Sequence, residues 1–317
     1  MYYLAVDLGG TKTLVGIFES DAKLINKVKF LTAPEKGFKD WFLRINETVH
    51  SLLATTKIKF EDLRSIGVAA PGLVDSKNGV MEFSPNFPGW INVSIKDILE
   101  RNMGVRTIVD HDVRAMVLGE KYYGAAKKKD NFVCITIGTG IGLGIFANGK
   151  VYAGDKMRAG ELGHITIDEE GPLCGCGNHG CLEAIASGPA IASQATACLN
   201  RGEPSVLQNL IDIEAKDVLA AAENGDPVAV RIISKAGQII GLAIANLVTI
   251  LDPSLVILSG GVVESSTMIL EIIRHTVRER SYTYRDRTCN IIKSPLGEEA
   301  VLYGALRLCQ SIKNAQL

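Results

Sequence analysis

The chain is short of four things: an excess of either charge, a long apolar run, a leading export signal and cysteine. Its 34 Lys and Arg offset 35 Asp and Glu, a formal net charge of −1. Without a basic field, nucleic acid is not an expected partner. The one basic run, Lys127-Lys128-Lys129, reads as a solvated turn before a strand. The most apolar stretch, Ile239 to Leu251, is too short and interrupted for a membrane span and reads as a buried helix, so no membrane partner is expected. The opening MYYLAVDLGG has no basic segment and reaches an acid at Asp7, unlike a secretory signal, and the expected compartment is the cytoplasm. In that reducing setting seven cysteines suit metal binding or catalysis better than disulfides. The Walker pattern is also absent. GTGIGLG has dinucleotide-like spacing, but LGIFANGKVYAG continues as strand where that motif needs a helix.

What is present is a two-domain length of 317 residues with strands and helices alternating, hence an α/β class. YYLAVD and TLVGIFES flank a Gly-Gly turn and read as a hairpin, with a third strand over KLINKVKFLT. Apolar residues at helical spacing predict a helix over 39–55, and RTIVDHDVRAMVLGEKYYGA reads as a strand running into a helix. NFVCITIGTGIGLGIFANGKVYAG repeats the plan of the N-terminus. A shift of 128 residues sets Gly10-Thr11 on Gly138-Thr139 and Gly16-Ile17-Phe18 on Gly144-Ile145-Phe146. Asp226-Pro227 and Asp252-Pro253 bracket a long helical pattern, LVILSGG is a short strand into a turn, and EEAVLYGALRLCQSIK closes the chain as a helix.

The two glycine turns suit phosphate, because glycine lets backbone N–H groups come close and successive turn amides form an anion nest. Thr11, Thr13 and Thr139 could add hydroxyl donors, and Asp7, ending the first strand, would suit a hydrated magnesium ion. Ordinary tight hairpins are the competing reading. Cys174-x-Cys176-x4-Cys181 offers three thiolates on one loop, a set that tetrahedral zinc accepts. His164 and His179 are both available as a fourth ligand by spacing. Four protein ligands leave no open position, so such a zinc is structural. It would tether Glu161 and Glu183, which flank the cluster.

DLGGTKT, PGLVD, IGTGIGLGI, GELGH, CGCGNHGCLE and ILSGG follow one another as they do in the ROK sugar kinases, which the chain resembles over nearly its whole length. The resemblance implies a two-domain actin-like ATPase fold of hexokinase type, with sugar and ATP in a cleft. It implies a small N-terminal domain over 1–113, completed by a C-terminal helix over 303–317, and a large domain over 114–302 with its zinc loop at 164–181. Asp7, Gly9, Gly10, Thr11 and Thr13 would form the first phosphate loop, and Gly138, Thr139 and Gly140 the second. Gly260 and Gly261 would lie against adenosine, and Lys12 could neutralise phosphate or stand as a solvated turn lysine. Zinc would be held by His164, Cys174, Cys176 and Cys181, and His179 is then a loop residue. Glu161, Glu183 and His164 would bond sugar hydroxyls, joined by Gly72 and Asn86. Relatives are often dimers, so a homodimer is expected.

Phosphoryl transfer to an alcohol needs a carboxylate beside the attacking hydroxyl. The resemblance places Asp112 there; as a residue at a strand-to-helix junction it also suits an N-cap. Glucokinase-like members carry NDAN at this point, whereas this chain reads DHDVRA. His111 can bond a sugar hydroxyl, but with other geometry, and it can protonate. A His-Asp pair also occurs in sugar-sensing repressors of the family. The expected activity is therefore an ATP-dependent hexose kinase acting at the 6-hydroxyl, glucose first, with N-acetylmannosamine or N-acetylglucosamine as the alternative. A non-catalytic sugar-responsive regulator is the reading from another class; since the first strand begins at about Tyr2, no DNA-binding domain is expected ahead of it.

Overall fold

The computed structural model of the chain describes residues 1–282 and 289–311. Two compact units emerge. The first comprises Met1–Lys128, the short stretch Val151–Ala159 and the C-terminal region from Glu298; the second comprises Lys129–Lys150 and Gly160–Gly297.

In the first unit β1 (Tyr2–Leu8) and β2 (Lys12–Glu19) form the hairpin that the glycine pair predicts, and β3 (Leu24–Leu31) extends it. After α1 (Phe38–Thr56), β4 (Leu63–Ala70) pairs parallel with β1. A small antiparallel sheet of β5 (Leu73–Asp75), β6 (Val80–Phe83) and β7 (Val93–Ser94) precedes α2 (Ile95–Met103). β8 (Thr107–His111) then joins the main sheet, whose order is β3-β2-β1-β4-β8, and runs directly into α3 (Asp112–Tyr122).

Period-two alternation assigns β1 to two cores at once. Leu4, Val6 and Leu8 pack with Trp41, Ile45 and Val49 of α1, while Tyr3 and Ala5 pack with Leu302, Ala305 and Leu306 of α10 (Ala300–Ser311). With both faces covered, β1 and β4 are buried along most of their length, interrupted in sequence by Asp7, Arg64 and Ser65. The closing helix is thus part of the first unit; residues 312–317 of its expected range lie outside the described residues. The unit also runs past the expected boundary at 113, because α3 packs on α10 with backbone nearly touching backbone.

In the second unit β9 (Phe132–Ile137), β10 (Ile141–Ala147) and β11 (Lys150–Tyr152, which ends in the first unit) are followed, after a long insertion, by β12 (Leu255–Ser259) and β13 (Asn290–Lys293). The sheet order is β11-β10-β9-β12-β13, the same pattern as in the first unit. The 128-residue repeat is therefore a repeat of architecture. The insertion carries α4 (Leu182–Ala186), α5 (Gly188–Asn200), α6 (Ala215–Glu223) and α7 (Pro227–Leu251), and α8 (Gly261–Glu264) and α9 (Thr267–Arg280) lie between β12 and β13.

α7 starts where Asp226 accepts from the Ala229 N–H at 3.0 Å and ends at Asp252, in left-handed backbone before Pro253. It is long and apolar enough to cross a membrane, but 67% of its apolar window is buried, as in a core helix. Gly237 and Gly241 admit Ile272 and Thr276 of α9 against its backbone.

A Cβ on Gly304 would collide with the Ala115 carbonyl, and one on Gly119 with the Ala300 carbonyl. Backbone cannot yield as a side-chain tip can. Gly304→Ala should cost about 1–3 kcal/mol by overpacking, read as a lower urea midpoint at unchanged slope.

Candidate functional site

The first unit gathers its chemistry at one sheet edge, because β1, β4 and β8 are parallel and end level with one another. Asp7 pairs with Ala69, and Ala69 with Asp110. Consequently Asp7, the β1–β2 turn, Gly72 after β4 and His111-Asp112 after β8 share the carboxyl end of the sheet, the usual ligand edge of such folds.

The turn between β1 and β2 is braced from below. Gly9 N–H donates to Lys12 O at 3.1 Å, and the Thr32 N–H donates to Thr11 O at 2.9 Å. Thr32 Oγ1 donates to Gly9 O at 2.7 Å, and Trp41 Nε1 donates to Thr13 Oγ1 at 3.0 Å. Each hydroxyl has one proton, so the 3.0 Å contact between the two threonines has Thr13 donating to Thr32. The relay runs one way from the indole to the Gly9 carbonyl. Thr13 is wholly buried in it. Its hydroxyl supports the turn from inside, its one proton given to Thr32. Thr11 and Lys12 are exposed at the turn. Trp41 carried only apolar helical spacing and Thr32 only its place at the end of the third strand segment, and the sequence did not mark them as site residues.

Asp7 lies between two other acids. Burial, then the charges of Asp112 and Glu298, push its pKa up to about 8. Next to it, His111 rather than Asp112 is the N-cap of α3, and Asp112 is the first helical residue. Val113 N–H donates to Asp112 Oδ1 at 2.7 Å and lies 3.3 Å from His111 Nδ1. His111 Nδ1 stands 3.2 Å from Asp112 Oδ1. One carboxylate oxygen is thus occupied, and Oδ2 has no hydrogen-bond partner among the described residues. Gly72 has a φ of +83°, and a side chain there would meet the Phe83 carbonyl. Asn86 is exposed in the turn between buried Ser84 and Phe87.

The second unit presents the matching edge. Gly138 N–H donates to Gly140 O at 2.9 Å, closing the β9–β10 turn, with Thr139 exposed. Gly260, at φ +101°, admits the Ile137 backbone, and Gly261 N lies 3.8 Å from where a Gly138 Cβ would stand. Gly138, Thr139, Gly140, Gly260 and Gly261 are therefore neighbours. The turn is gripped from the helical side: Glu183 Oε2 accepts from Ile141 N–H at 2.9 Å, and Gly188 N–H donates to Gly138 O at 2.8 Å. Glu183 is thus committed through one oxygen to the glycine turn, a tie that the sequence did not reveal.

The ligand atoms of His164, Cys174, Cys176 and Cys181 all lie within 4.8 Å of one another. His164 Nδ1 is 3.6 Å from Cys174 Sγ, and Cys176 Sγ is 3.7 Å from Cys181 Sγ. A tetrahedron with Zn–S of ~2.3 Å and Zn–N of ~2.0 Å has edges of roughly 3.6 and 3.8 Å, so the donor set fits zinc. His179 is elsewhere, with Nδ1 3.2 Å from Gly171 O. The Asn178 N–H draws the Cys176 thiol below its ordinary pKa, while burial and the neighbouring sulfurs push Cys181 up to about 12. Bare, the cluster resists full ionisation; a dication removes that resistance and releases protons. His164 keeps Nε2 for other use, 3.9 Å from Glu161 Oε2.

The ROK family model matches residues 3–312. The chain belongs to the ROK family. It is 34% identical to a glucokinase of Thermotoga maritima over 306 residues, covering 95% of each chain. Among solved structures it is similar to a ROK family glucokinase from Streptomyces griseus in complex with glucose and AMPPNP. That match has a TM-score of 0.85 at 30% identity, over 98% of this chain and 100% of the other. It is equally similar to a ROK family transcriptional regulator, a homologue of the E. coli MLC protein. There the TM-score is 0.84 at 30% identity, over 98% of this chain and 78% of that one. The fold is the actin-like ATPase fold of the ROK kinases, and the repeated sheets are its two halves. The family holds both kinases and regulators, so membership leaves catalysis to the site.

Two outcomes are expected. Metal analysis of the purified protein should find one zinc per chain, and the Cys174→Ser/Cys176→Ser variant should hold none. Asp7 is protonated more readily folded than unfolded, so its contribution to stability is present in acid and lost as pH rises from about 4 through about 8. In chelator, Asp7→Asn should therefore melt several degrees above the wild type at pH 8.5, and the gap should shrink by more than half at pH 5.

Proposed function

We propose that the protein is an ATP-dependent sugar kinase that transfers the γ-phosphoryl group to the 6-hydroxyl of a hexose. Glucose is the first candidate, and N-acetylmannosamine or N-acetylglucosamine the alternative. The observation that carries the reading is Asp112: a carboxylate with one oxygen occupied by the Val113 amide and the other open, on the same sheet edge as the Gly9–Lys12 turn. A fixed carboxylate with an open oxygen is what a general base for an alcohol requires. The glucose- and AMPPNP-bound neighbour supports the substrate pair.

In this reading Asp112 takes the hydroxyl proton as the phosphorus–oxygen bond forms, and the leaving nucleotide departs as ADP. The Gly9–Thr11 turn and the Gly138–Gly140 turn hold phosphate in this reading, the Gly9 and Gly138 N–H groups closing the turns themselves, and Gly260 and Gly261 lie beside adenosine. Lys12 adds positive charge. Asp7 would hold magnesium, through water, and magnesium supplies neutralising charge to the phosphates; the raised pKa of Asp7 fits a carboxylate built to face a cation. Glu161, His164, Glu183, His111, Asn86 and the Gly72 backbone would orient the sugar. Zinc, when bound, fixes the loop that carries Glu161, His164 and Glu183, and Nε2 lets His164 serve metal and sugar through different nitrogens.

The regulator reading is favoured by one feature, the His111-Asp112 pair in place of Asn-Asp, together with the similarity to the transcriptional regulator. A coupled ADP-release assay across hexoses and N-acetylhexosamines separates the two. Turnover of at least one sugar is expected; tight binding of a sugar with turnover of none would establish the regulator. Asp112→Asn should lower kcat by about 10²–10⁴-fold with sugar affinity within about tenfold, and near-normal turnover in that variant would remove Asp112 from the role.

A further inference from the structure

Arg114 is only 4% exposed, and nothing in the proposed chemistry uses it. It stands one helical step past the Asp112 junction, and it is a departure from the family pattern at this point. Its guanidinium serves three segments of the first unit. Nε donates to Asp110 Oδ1 at 2.8 Å, with Nη2 at 2.6 Å from the same oxygen. Nη2 also donates to Ser76 Oγ at 3.0 Å, just beyond β5, and Nη1 donates to Met157 O at 2.9 Å. Asp110 Oδ1 accepts in addition from Ser76 Oγ at 2.6 Å and from the His111 N–H at 2.7 Å. A buried charge pair survives only when its donors and acceptors are met, and here they are.

The third partner belongs to the strap Val151–Ala159. Met157 has a φ of +57°, a left-handed conformation that a Met adopts at a steric cost and that surrounding bonds must hold. Within the strap Met157 N–H donates to Gly154 O at 3.4 Å and Ala159 N–H to Ala153 O at 2.9 Å, and Arg158 Nη2 reaches Glu82 Oε2 of β6 at 3.5 Å. Between the strap and the β5–β6 hairpin lies a cavity of about 190 Å³ lined by Asp75, Glu82, Met157 and Arg158 among others.

We infer that Arg114 is a positioning residue of the acceptor site, an inference that rests on Asp112 being the base. Through Asp110 it fixes the backbone on which His111 and Asp112 ride. Through Met157 it fixes the strap and one wall of the adjoining cavity. The base and the wall are thereby held as one body, and a planar fork is needed because Arg114 meets its acceptors from three separate nitrogens, a spread that the single nitrogen of a lysine does not span.

The test compares Arg114→Met, Arg114→Lys and Ser76→Ala with the wild type, using ATP and the sugar that the panel assay selects, alongside amide exchange of residues 153–159. Misplacing a base by about an ångström costs about 10²-fold in rate. Arg114→Met should lose about that in kcat with the KM for ATP within about twofold, and strap exchange should quicken by about tenfold. Arg114→Lys should not rescue, and Ser76→Ala, which leaves the ion pair, should show a smaller loss of the same kind. Wild-type kcat, unchanged strap exchange, or parallel losses in kcat and ATP binding would overturn the inference. Should Arg114→Met not fold, Ser76→Ala decides by the same criteria. Should the wild type phosphorylate no sugar, the kinase reading falls, and strap exchange alone decides whether the clamp exists.

Discussion

The parallel pairing of β1, β4 and β8 is the constraint from which the first unit's chemistry follows. Because the three strands end level, residues separated by a hundred positions meet at one edge: Asp7, Gly72 and the His111-Asp112 junction. No side-chain contact brings them there. Backbone hydrogen bonds do, reinforced by apolar cover on both faces. A slip of one residue would exchange the two faces of β1 and move Asp7 off the edge, so register and site are specified together. The second unit applies the same rule with β9 and β12, and brings the Gly138 and Gly260 turns side by side.

Around these edges the molecule fixes polar atoms by exhausting their hydrogen-bonding capacity. The Trp41–Thr13–Thr32 relay leaves neither hydroxyl a free proton and ends on the carbonyl of a glycine that must hold its turn open. Glu183 does the same for the second turn with one oxygen, and α4, which carries it, begins at the cluster cysteine Cys181. The cysteine loop thus stands one helical turn from a glycine backbone. That proximity explains why thiols and carboxylates are interleaved so densely in this part of the chain.

Architecture was legible where the pattern was local. The hairpins, the strand-to-helix run at 107–122 and the α7 brackets follow from turn residues, caps and periodicity, and each element is found where those signals place it. The repeat was legible because two turns and two returning strands matched at one offset. What escaped was non-local. Thr13 lies in a glycine-rich motif that suggests a hydroxyl donor, and β-strand alternation sets it in the core beneath Trp41. Asp110 and Arg114 stand at i and i+4, yet their ion pair went unread, and nothing in the spacing shows a third and fourth partner arriving from Ser76 and Met157. The cap of α3 is His111 rather than Asp112 because the helix begins one residue earlier than an Asp112 cap would set it.

The first unit is also assembled from the two extremes of the chain. Tyr3, Ala5 and Phe18 have their apolar cover in α10, almost three hundred residues downstream. During synthesis that face of these strands stays bare until α10 has left the ribosome. An apolar sheet face waiting so long for its lid is a natural substrate for a chaperone. It also makes α10 the stretch whose loss would bare that face and favour aggregation.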